Sequence, residues 1–324
     1  MIAILIESLR ATMLPPWMLL LPSTIGFICL LKLSISLLKW TFTTIIRRPK
    51  NLTHYGSWAL ITGATDGIGK ALAKKLAAQG LNLILVSRRY NKLKALETEF
   101  LAEYPHTKIT TVEFDFTGNI SEGVKSVEKA IDGLEVGILI NNVGITYPSA
   151  MFFHEVEEKV WMDIVRVNME GTTRVTKAVI SGMIKRRKGA IVNIGSGAAT
   201  VIPSHPLFTI YAATKAYIDQ LSRSLYVEYK KFGIDVQCQV PLYVATKMVS
   251  KVASINKKSI FIPSPEDYAE ASIGWIGYEA RCTPYWPHSL QWSFASLLPP
   301  SILDAWRLSI GIRRRRSQSQ SISA

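Results

Sequence analysis

Tyr211 and Lys215 lie four residues apart and form the pair of side chains in this sequence best suited to transfer a proton. A free phenol has a pKa of about 10 and is a poor acid at neutral pH. Positions four apart lie on one face of a helix, so the lysine charge would lower the pKa of the phenol. The pair therefore predicts a proton donor for the oxygen of a carbonyl group that receives a hydride.

Ser196 supplies a second hydroxyl group for the same chemistry. It follows a predicted strand, in the sequence Gly-Ser-Gly of residues 195–197, where its hydroxyl can hydrogen-bond the oxygen of a substrate. A Tyr-x-x-x-Lys pair alone arises often by chance, as part of a helix surface. Hydrolysis by a Ser-His-Asp triad is disfavoured because the segment lacks the G-x-S-x-G spacing of a nucleophile elbow.

A glycine-rich turn follows the apolar run Trp58–Thr62 and precedes a helical pattern. Gly63 would permit a tight turn, and Gly67 would let the backbone approach a pyrophosphate group. Gly69 would let the helix pack closely on the sheet, with its amino terminus facing the anion. This strand-turn-helix setting favours a dinucleotide site over a chance run of glycines.

The end of the second predicted strand indicates which dinucleotide binds. NAD sites usually carry a carboxylate there for the ribose hydroxyl groups. This chain instead has Ser87, Arg88 and Arg89, and no carboxylate until Glu97. A guanidinium group can pair bidentately with a 2′-phosphate, and a serine can donate a hydrogen bond. The pattern favours NADPH bound by Arg88, whereas Arg89 fits a solvated turn better.

Short apolar runs alternate with longer helical patterns between Gly56 and about Glu279, and these elements must position the residues above. Strands are predicted at Trp58–Thr62, Asn82–Val86, Ile109–Glu113, Gly137–Ile140, Ala190–Ile194 and Ile234–Val240. Helices are predicted at Gly69–Gln79, Asn91–Tyr104, Ser121–Ile131, Val160–Lys185 and Ile210–Phe232. Near-continuous apolar strands separated by helices predict an α/β fold with a doubly wound, Rossmann-like parallel sheet. Its ligand crevice would lie at the carboxyl ends of the strands.

These motifs, in this order, resemble those of the short-chain dehydrogenase/reductase superfamily. The matching motifs are Thr62–Gly69, Asp115 after the third strand, Asn141–Gly144 after the fourth, and Tyr211 with Lys215. The resemblance implies that Ser196, Tyr211 and Lys215 are catalytic, with Asn168 holding a proton-relay water beside the lysine. The implied cofactor-binding residues are Gly63, Thr65, Asp66, Gly67, Ile68, Gly69, Ser87, Arg88, Asp115, Asn142, Gly144, Tyr211 and Lys215. The chain departs from the family pattern at Val143, usually alanine, and at Leu242, where glycine is common.

The charge and cysteine content narrow the possible ligands. The net charge is +14, from 38 basic and 24 acidic side chains, which is compatible with nucleic acid, anionic lipid or a polyanionic small molecule. The basic residues cluster near the two ends of the chain, which are predicted below to lie near a membrane, and aromatic residues are not interleaved with them. A nucleic-acid ligand is therefore disfavoured. Cys29, Cys238 and Cys282 show no C-x-x-C spacing, and neither a disulfide framework nor a metal site is predicted.

The amino-terminal segment is predicted to anchor the chain in a membrane. Ala11 to Leu31 is a run of 21 uncharged residues, long enough to cross a bilayer as a helix. Its prolines, the last at Pro22, predict that the helix begins near Ser23 and runs past Lys32. A cleaved signal peptide is disfavoured because the apolar run ends in bulky and basic residues. The basic cluster Arg47–Lys50 predicts that the following chain faces the cytosol.

The carboxyl-terminal segment leaves two interpretations open. Trp286 to Leu303 is rich in apolar residues but is interrupted by Pro299 and Pro300. It fits an interfacial or re-entrant segment, with Arg313–Arg316 on lipid headgroups. It also fits a helix that covers the core and ends in a solvated basic tail. The predicted domains are an anchor and basic flank at 1–50, the NADP-binding catalytic domain at 51–280, an apolar segment at 281–312 and a basic, polar tail at 313–324.

Four further blocks resemble the 3-oxoacyl-CoA reductases of very-long-chain fatty acid elongation, the plant branch most closely: Tyr55–Ala59, Phe152–Glu155, Val244–Met248 and Ala280–His288. The resemblance implies NADPH-dependent reduction of a long-chain 3-oxoacyl-CoA to a 3-hydroxyacyl-CoA at the endoplasmic reticulum membrane. Membrane lipid and other elongase components are the implied partners. The chain ends in Ser-Ile-Ser-Ala rather than in the dilysine signal common in the family, which admits a divergent paralogue.

Two alternatives to this function stay open at the level of the sequence. The same trio would serve a 17β-type hydroxysteroid dehydrogenase or another lipid-ketone reductase, and a non-catalytic scaffold of the elongase complex would keep the fold. Lys247, Lys251, Lys257 and Lys258 lie in the segment where the family builds its substrate lid. They fit either contacts with CoA phosphates or a solvated loop. His205 and Tyr217 are interpreted as loop and helix-packing residues.

Overall fold

The structure is a computed structural model that describes residues 16–253, 255 and 257–323, and it divides into two units between Arg48 and Pro49. The first unit contains helix α1 (Pro16–Thr41) and a π-helical turn (Phe42–Ile46). Residues 20–46 form a 27-residue segment long and apolar enough to cross a membrane. The first residues of the predicted uncharged run lie outside the described residues.

The predicted start of this helix near Ser23 is wrong. Helix α1 is already formed at Pro16 and contains Pro22 within it. A proline removes one backbone donor and crowds the preceding turn, which kinks a helix but need not end it. Proline inside an apolar helix is also tolerated in membrane-spanning segments.

The second unit is built around a seven-stranded parallel sheet in the order β3-β2-β1-β4-β5-β6-β7. The strands are β1 (Trp58–Thr62), β2 (Asn82–Ser87), β3 (Ile109–Glu113), β4 (Val136–Asn141), β5 (Gly189–Ile194), β6 (Ile234–Gln239) and β7 (Arg281–Cys282). The strand order reverses between β1 and β4, which creates a crevice at the carboxyl ends of these strands. The predicted Rossmann-like fold is confirmed.

Helices cover the sheet on both faces. They are α2 (Gly67–Ala78), α3 (Tyr90–Glu103), α4 (Ile120–Ile131), α5 (Glu158–Val165), α6 (Thr172–Arg186), α7 (Gly197–Thr200), α8 (Thr209–Tyr229), α9 (Lys247–Ala253), α10 (Pro265–Ile273), α11 (Trp286–Ser296) and α12 (Pro300–Ser323). A π-helical turn, Arg166–Gly171, joins α5 to α6. Short 3₁₀ turns occupy Leu52–Tyr55, Phe153–Glu155 and Lys230–Phe232.

The central strands are buried on both faces, which explains their near-continuous apolar sequence. Ala59 and Ile61 of β1 pack in a cluster that also contains Leu72 of α2, whereas Leu60 packs in a second cluster with Val179 of α6. All three of these β1 side chains are fully buried. Successive residues of a strand point to opposite faces, so helices on both sides require apolar residues at every position.

The carboxyl-terminal residues form two helices separated at the predicted proline break. Helix α11 ends at Ser296 and α12 begins at Pro300. Leu303 and Arg307 of α12 are buried, so this part of the segment packs on the rest of the second unit. Several apolar side chains of the two helices and of the turn between them are exposed instead: Phe294, Leu297, Leu298, Ile302 and Trp306.

Candidate active site

The turn after β1 has the geometry of a phosphate-binding loop. Gly63 and Gly67 adopt positive φ angles of 65° and 53°, which favour glycine. A Cβ atom on Gly69 would lie 2.4 Å from the carbonyl oxygen of Gly63, so glycine is required there for close packing. Asp66 caps helix α2 by accepting a hydrogen bond of 2.9 Å from the Gly67 amide. The remaining amides at this helix end are suited to an anionic ligand.

Asn142, which follows β4, holds this turn in place. Its side-chain Nδ2 donates hydrogen bonds to the carbonyl oxygens of Thr62, at 3.1 Å, and Gly63, at 3.2 Å. Its backbone amide donates to the hydroxyl of Thr62 at 3.0 Å. The two strands that flank the reversal of strand order are therefore joined by one asparagine.

A cavity of about 340 Å³ lies at this carboxyl edge of the sheet. The predicted cofactor-binding residues that line it are Gly63, Thr65, Asp66, Gly67, Ile68, Ser87, Arg88, Asp115, Asn142, Gly144, Tyr211 and Lys215. Gly69 packs behind the turn and does not line the cavity. A helix amino terminus and a cationic end in one cavity fit a phosphorylated dinucleotide.

The end of β2 supplies that cationic end. Arg88 is exposed and lines the cavity, whereas Arg89 is exposed but does not line it. The hydroxyl groups of Ser87 and Thr65 lie 2.8 Å apart and connect the end of β2 to the glycine-rich turn. Asp115, after β3, accepts hydrogen bonds of 3.0 and 2.9 Å from the amide and hydroxyl of Thr117, which orients its carboxylate at the cavity wall.

Tyr211 and Lys215 lie in the first turns of α8, with the lysine Nζ 6.0 Å from the centre of the tyrosine ring. Lys215 is buried, and this burial lowers its pKa to about 8. Its Nζ donates a hydrogen bond of 2.7 Å to the carbonyl oxygen of Ile194, at the end of β5. Burial raises the pKa of Tyr211, and a hydrogen bond with Ser196 opposes this increase. Burial is the largest influence on this phenol in the protein alone, and the lowering of its pKa by the lysine stays a prediction.

Ser196 is fixed at the junction of β5 and α7. Its Oγ accepts a hydrogen bond of 3.2 Å from the Ala198 amide and so caps this short helix. The Ser196 side chain also lies within hydrogen-bond reach of Tyr211, and both residues line the cofactor cavity. Two hydroxyl groups are therefore placed together where a carbonyl oxygen would be bound.

Asn168 lies in the π-helical turn between α5 and α6, and its side chain is fully buried. Its Oδ1 accepts from the Ile145 amide at 2.8 Å, while Nδ2 donates to the Ile145 carbonyl at 3.0 Å and to the Thr214 hydroxyl at 2.9 Å. The side chain thus ties the loop after β4 to the helix that carries Tyr211 and Lys215. Insertion of a π turn at a functional position is common in helices. The water relay at Asn168 stays a prediction.

A second cavity, of about 760 Å³, begins at Ser196 and Tyr211, which line both cavities. Its wall is mostly apolar and includes Val201, Phe208 and Leu242. Exposed apolar residues of α11, α12 and the turn between them also line it, namely Phe294, Leu298, Ile302 and Trp306. The hydroxyl pair therefore lies where the predicted cofactor cavity meets a large, mostly apolar cavity.

Polar residues that sequence reasoning missed also line this second cavity: His205, Tyr243, Arg307 and Arg314. Arg314 belonged to a run expected to contact lipid headgroups or solvent. Instead, its Nη1 donates a hydrogen bond of 2.9 Å to the Tyr243 hydroxyl, and the neighbouring Arg315 pairs with Glu155. Arg313 and Arg316 are exposed. The four arginines are thus divided between inward and outward positions, because successive helix residues point in different directions.

Helix α9, in the predicted substrate lid, lies over the cofactor cavity. Lys247, Met248 and Val249 line that cavity, and the Lys247 Nζ pairs with the Asp66 carboxylate at 2.8 Å. Lys258 lies 3.8 Å from Asp267. Two of the four lid lysines are thus paired with carboxylates of this chain.

Comparisons with known proteins agree with this geometry. Residues 57–257 match the family model described as short chain dehydrogenase. A very-long-chain 3-oxoacyl-CoA reductase-like protein of Arabidopsis thaliana is 60% identical over 301 residues, which cover 93% of this chain and 96% of that relative. The inactive hydroxysteroid dehydrogenase-like protein 1 of Homo sapiens is 38% identical over 86% of this chain and 82% of its own length. A solved short-chain dehydrogenase from Sphingobium yanoikuyae in complex with NADPH gives a TM-score of 0.60 at 27% identity, over 67% of this chain and 83% of that one.

Proposed function

Because this chain belongs to the short-chain dehydrogenase family, we propose that it uses NADPH to reduce a long-chain 3-oxoacyl-CoA to the 3-hydroxyacyl-CoA. One observation carries the proposal: Ser196 and Tyr211 lie where the first cavity, at the glycine-rich turn, meets the large apolar cavity. A hydride donor in the first cavity and a lipid ketone in the second would meet at this hydroxyl pair.

Proton transfer to the ketone is assigned to Tyr211. NADPH, when bound, supplies the hydride that adds to C3 of the substrate. Ser196 and Tyr211 hydrogen-bond the ketone oxygen, and the Tyr211 hydroxyl gives its proton to that oxygen as negative charge develops. The carbonyl becomes a hydroxyl group, and the phenol recovers its proton from solvent. Lys215, held by the Ile194 carbonyl, keeps a positive charge beside the phenol and favours its transient ionised form.

The cofactor preference rests on the cationic end of the first cavity. Arg88 and Ser87 would hold the 2′-phosphate, the amides at the start of α2 would face the pyrophosphate, and Asp115 would bind the adenine. Asn168 would act as a positioning residue through its bonds to Ile145 and Thr214.

The acyl substrate is supported by the apolar second cavity and by the Arabidopsis relative, which is named a reductase-like protein for very-long-chain 3-oxoacyl-CoA. An acyl chain of this kind partitions into a bilayer. Helix α1 would anchor the protein, and the exposed apolar residues of α11 and α12 would contact lipid at the mouth of the cavity. The proposed location is the endoplasmic reticulum membrane, with the catalytic unit in the cytosol beside other elongase components, and the basic cluster Arg47–Lys50 after helix α1 supports this orientation.

Turnover with defined substrates tests the assignment. Detergent-solubilised full-length protein should oxidise NADPH in the presence of a long-chain 3-oxoacyl-CoA and only slowly with a steroid ketone. Absence of turnover with the acyl-CoA, together with turnover of the steroid, would transfer the assignment to a hydroxysteroid dehydrogenase.

A non-catalytic scaffold is the second candidate, favoured by one observation: a relative 38% identical to this chain is named inactive. The intact Ser196, Tyr211 and Lys215 argue against it. Cells that depend on this protein for elongation should lose long-chain products when it carries Tyr211→Phe. Normal product levels with this variant would identify a scaffold, provided that the variant accumulates to the wild-type level.

A further inference from the structure

Tyr243 places a third hydroxyl group in the second cavity, close to the reacting centre. Its half-buried side chain lines the cavity and lies near enough to Tyr211 to contribute to the raised pKa of that phenol. Neither the family motifs nor the chemistry assigned above uses this residue.

The hydrogen bonds around Tyr243 leave its proton available to a ligand. Arg314 and Arg307 donate to the phenol oxygen, at 2.9 and 3.4 Å from their respective Nη1 atoms. A guanidinium group can only donate, so the oxygen of Tyr243 accepts both bonds. Within the described part of the chain, no acceptor lies in hydrogen-bond reach of the Tyr243 proton. The Tyr243 hydroxyl group can therefore donate a hydrogen bond to a ligand in the second cavity, which its side chain lines.

The positive charges make this hydroxyl a stronger donor than an ordinary phenol. Burial would raise the pKa of Tyr243, but the guanidinium groups of Arg307 and Arg314 outweigh it and lower the pKa. The described residues that line this cavity include no carboxylate, so no internal anion neutralises the two arginines there. An oxygen acceptor in the substrate is thus the matching partner.

Two histidines hold Tyr243 and its arginine partners in place. Arg307 is only 6% exposed and is hydrogen-bonded to the ring of His205, whose pKa burial lowers to about 3, so that the imidazole is neutral and can accept the bond. On the other side, the buried His288 ring lies 3.2 Å from the backbone carbonyl of Tyr243. Contacts to both its side chain and its backbone therefore fix the position of this hydroxyl.

We propose that the Tyr243 hydroxyl donates a hydrogen bond to the thioester carbonyl oxygen of the substrate and so selects 3-oxoacyl thioesters over isolated ketones. In such a substrate, one methylene group separates the thioester carbonyl from the ketone. With the ketone on Ser196 and Tyr211, the second oxygen is presented to a neighbouring donor on the cavity wall. This role rests on the proposed function, because it assumes a 3-oxoacyl-CoA as substrate.

The test compares two ligands that differ only in that oxygen: a long-chain 3-oxoacyl-CoA and its thioether analogue, in which the C1 carbonyl is a methylene group. The measured quantity is the ratio of kcat/KM for the thioester to kcat/KM for the thioether. Tyr243→Phe should lower this ratio about tenfold, the effect of losing one good hydrogen bond. Tyr217→Phe is the matched control, since that hydroxyl bonds Thr173 at 2.8 Å and its residue lines neither cavity.

Arg314→Gln provides a second variant, which should lower the ratio less because Arg307 still polarises the phenol. An unchanged ratio in folded Tyr243→Phe, or an equal loss of turnover with both ligands, would overturn the role of Tyr243. In either case, wild-type turnover of the thioester would leave the proposed function intact. Wild-type protein that reduces the thioether but not the thioester would overturn both.

Discussion

The ammonium group of Lys247 lies 2.8 Å from the carboxylate of Asp66 and joins helix α9 to the glycine-rich turn after β1. The pKa of Asp66 is lowered: partial burial would raise it, but the lysine and the Gly67 amide outweigh that effect. Because Asp66 also caps α2, one carboxylate orders the turn and attracts the helix that lies over it. The pair therefore links the cofactor cavity to the lid.

Lys247→Ala should weaken NADPH binding by no more than about fivefold and increase its dissociation rate. Both partners are partly exposed, and such pairs contribute about 0.2–1 kcal/mol. Stopped-flow fluorescence of NADPH would measure the dissociation constant and the dissociation rate at low and high salt. The difference between Lys247→Ala and the wild type should be smaller at high salt. Lys251→Ala, a change to an exposed lysine of the same helix, is the control. Equal effects of the two substitutions would contradict a specific link.

Arg88→Ala should shift the cofactor preference towards NADH. The lost guanidinium would reduce NADPH affinity about tenfold or more, since charge-assisted hydrogen bonds to phosphate are strong. NADH affinity should change little. Dissociation constants for both dinucleotides would test this, and Arg89→Ala provides a control because Arg89 does not line the cavity. A similar loss of affinity for NADPH and NADH in Arg88→Ala would argue against recognition of the 2′-phosphate by this residue.

Activity and stability should respond to alkaline pH in opposite directions. Burial lowers the pKa of Lys215 from 10.5 to about 8, so the folded protein loses this charge as pH rises through about 8. The kcat/KM for reduction should then decline, because the phenol loses its cationic neighbour. Between these two pKa values the unfolded chain binds the proton and the folded chain does not, so this group makes the free energy of unfolding rise with pH.

A pH series of initial rates and of urea unfolding would separate the two trends. Lys215→Met is the control, and its free energy of unfolding should lack this contribution to the rise above pH 8. Reduction that stays constant up to a pH of about 9.5 would contradict the assigned role of the lysine charge.

Gly69→Ala should destabilise the catalytic unit by about 1–3 kcal/mol, the usual range for overpacking. The added Cβ would lie 2.4 Å from the backbone oxygen of Gly63, which cannot move without disturbing the cofactor turn. Gly118→Ala is a matched control, since its Cβ would lie 3.4 Å from the nearest neighbour. In urea unfolding with and without NADPH, Gly69→Ala alone should show a lower free energy of unfolding and a smaller stabilisation by NADPH. Comparable unfolding curves for the two variants would refute this packing role.

The sheet and its cofactor cavity could be predicted because their determinants are local. Buried parallel strands require consecutive apolar residues, and the turn after β1 requires glycine at positive φ angles. The helix predicted at Val160–Lys185 was correct in extent, but its periodicity did not indicate the π-helical turn that contains Asn168. Strand β7 is only two residues long and is too short to produce a pattern.

The polar cluster in the second cavity could not be predicted in the same way. Arg307 and Arg314 are 64 and 71 residues from Tyr243 in sequence, and Arg315 is 160 residues from its partner Glu155. Helix and strand periodicity relates residues that are a few positions apart, so it cannot predict contacts between residues this distant in sequence. The packing of α12 against the rest of the second unit determines which arginines turn inward. The sequence alone shows only a uniform run of basic residues.

The two cavities also differ in which part of the chain builds them. The match to the family ends at residue 257, yet the second cavity takes a large share of its wall from α11 and α12, between Leu290 and Arg314. Part of the lipid-facing wall is thus encoded after the stretch that carries Ser196, Tyr211 and Lys215. Substitutions in α11 and α12 can therefore reshape the space for a substrate in a paralogue while the residues assigned to hydride and proton transfer stay the same.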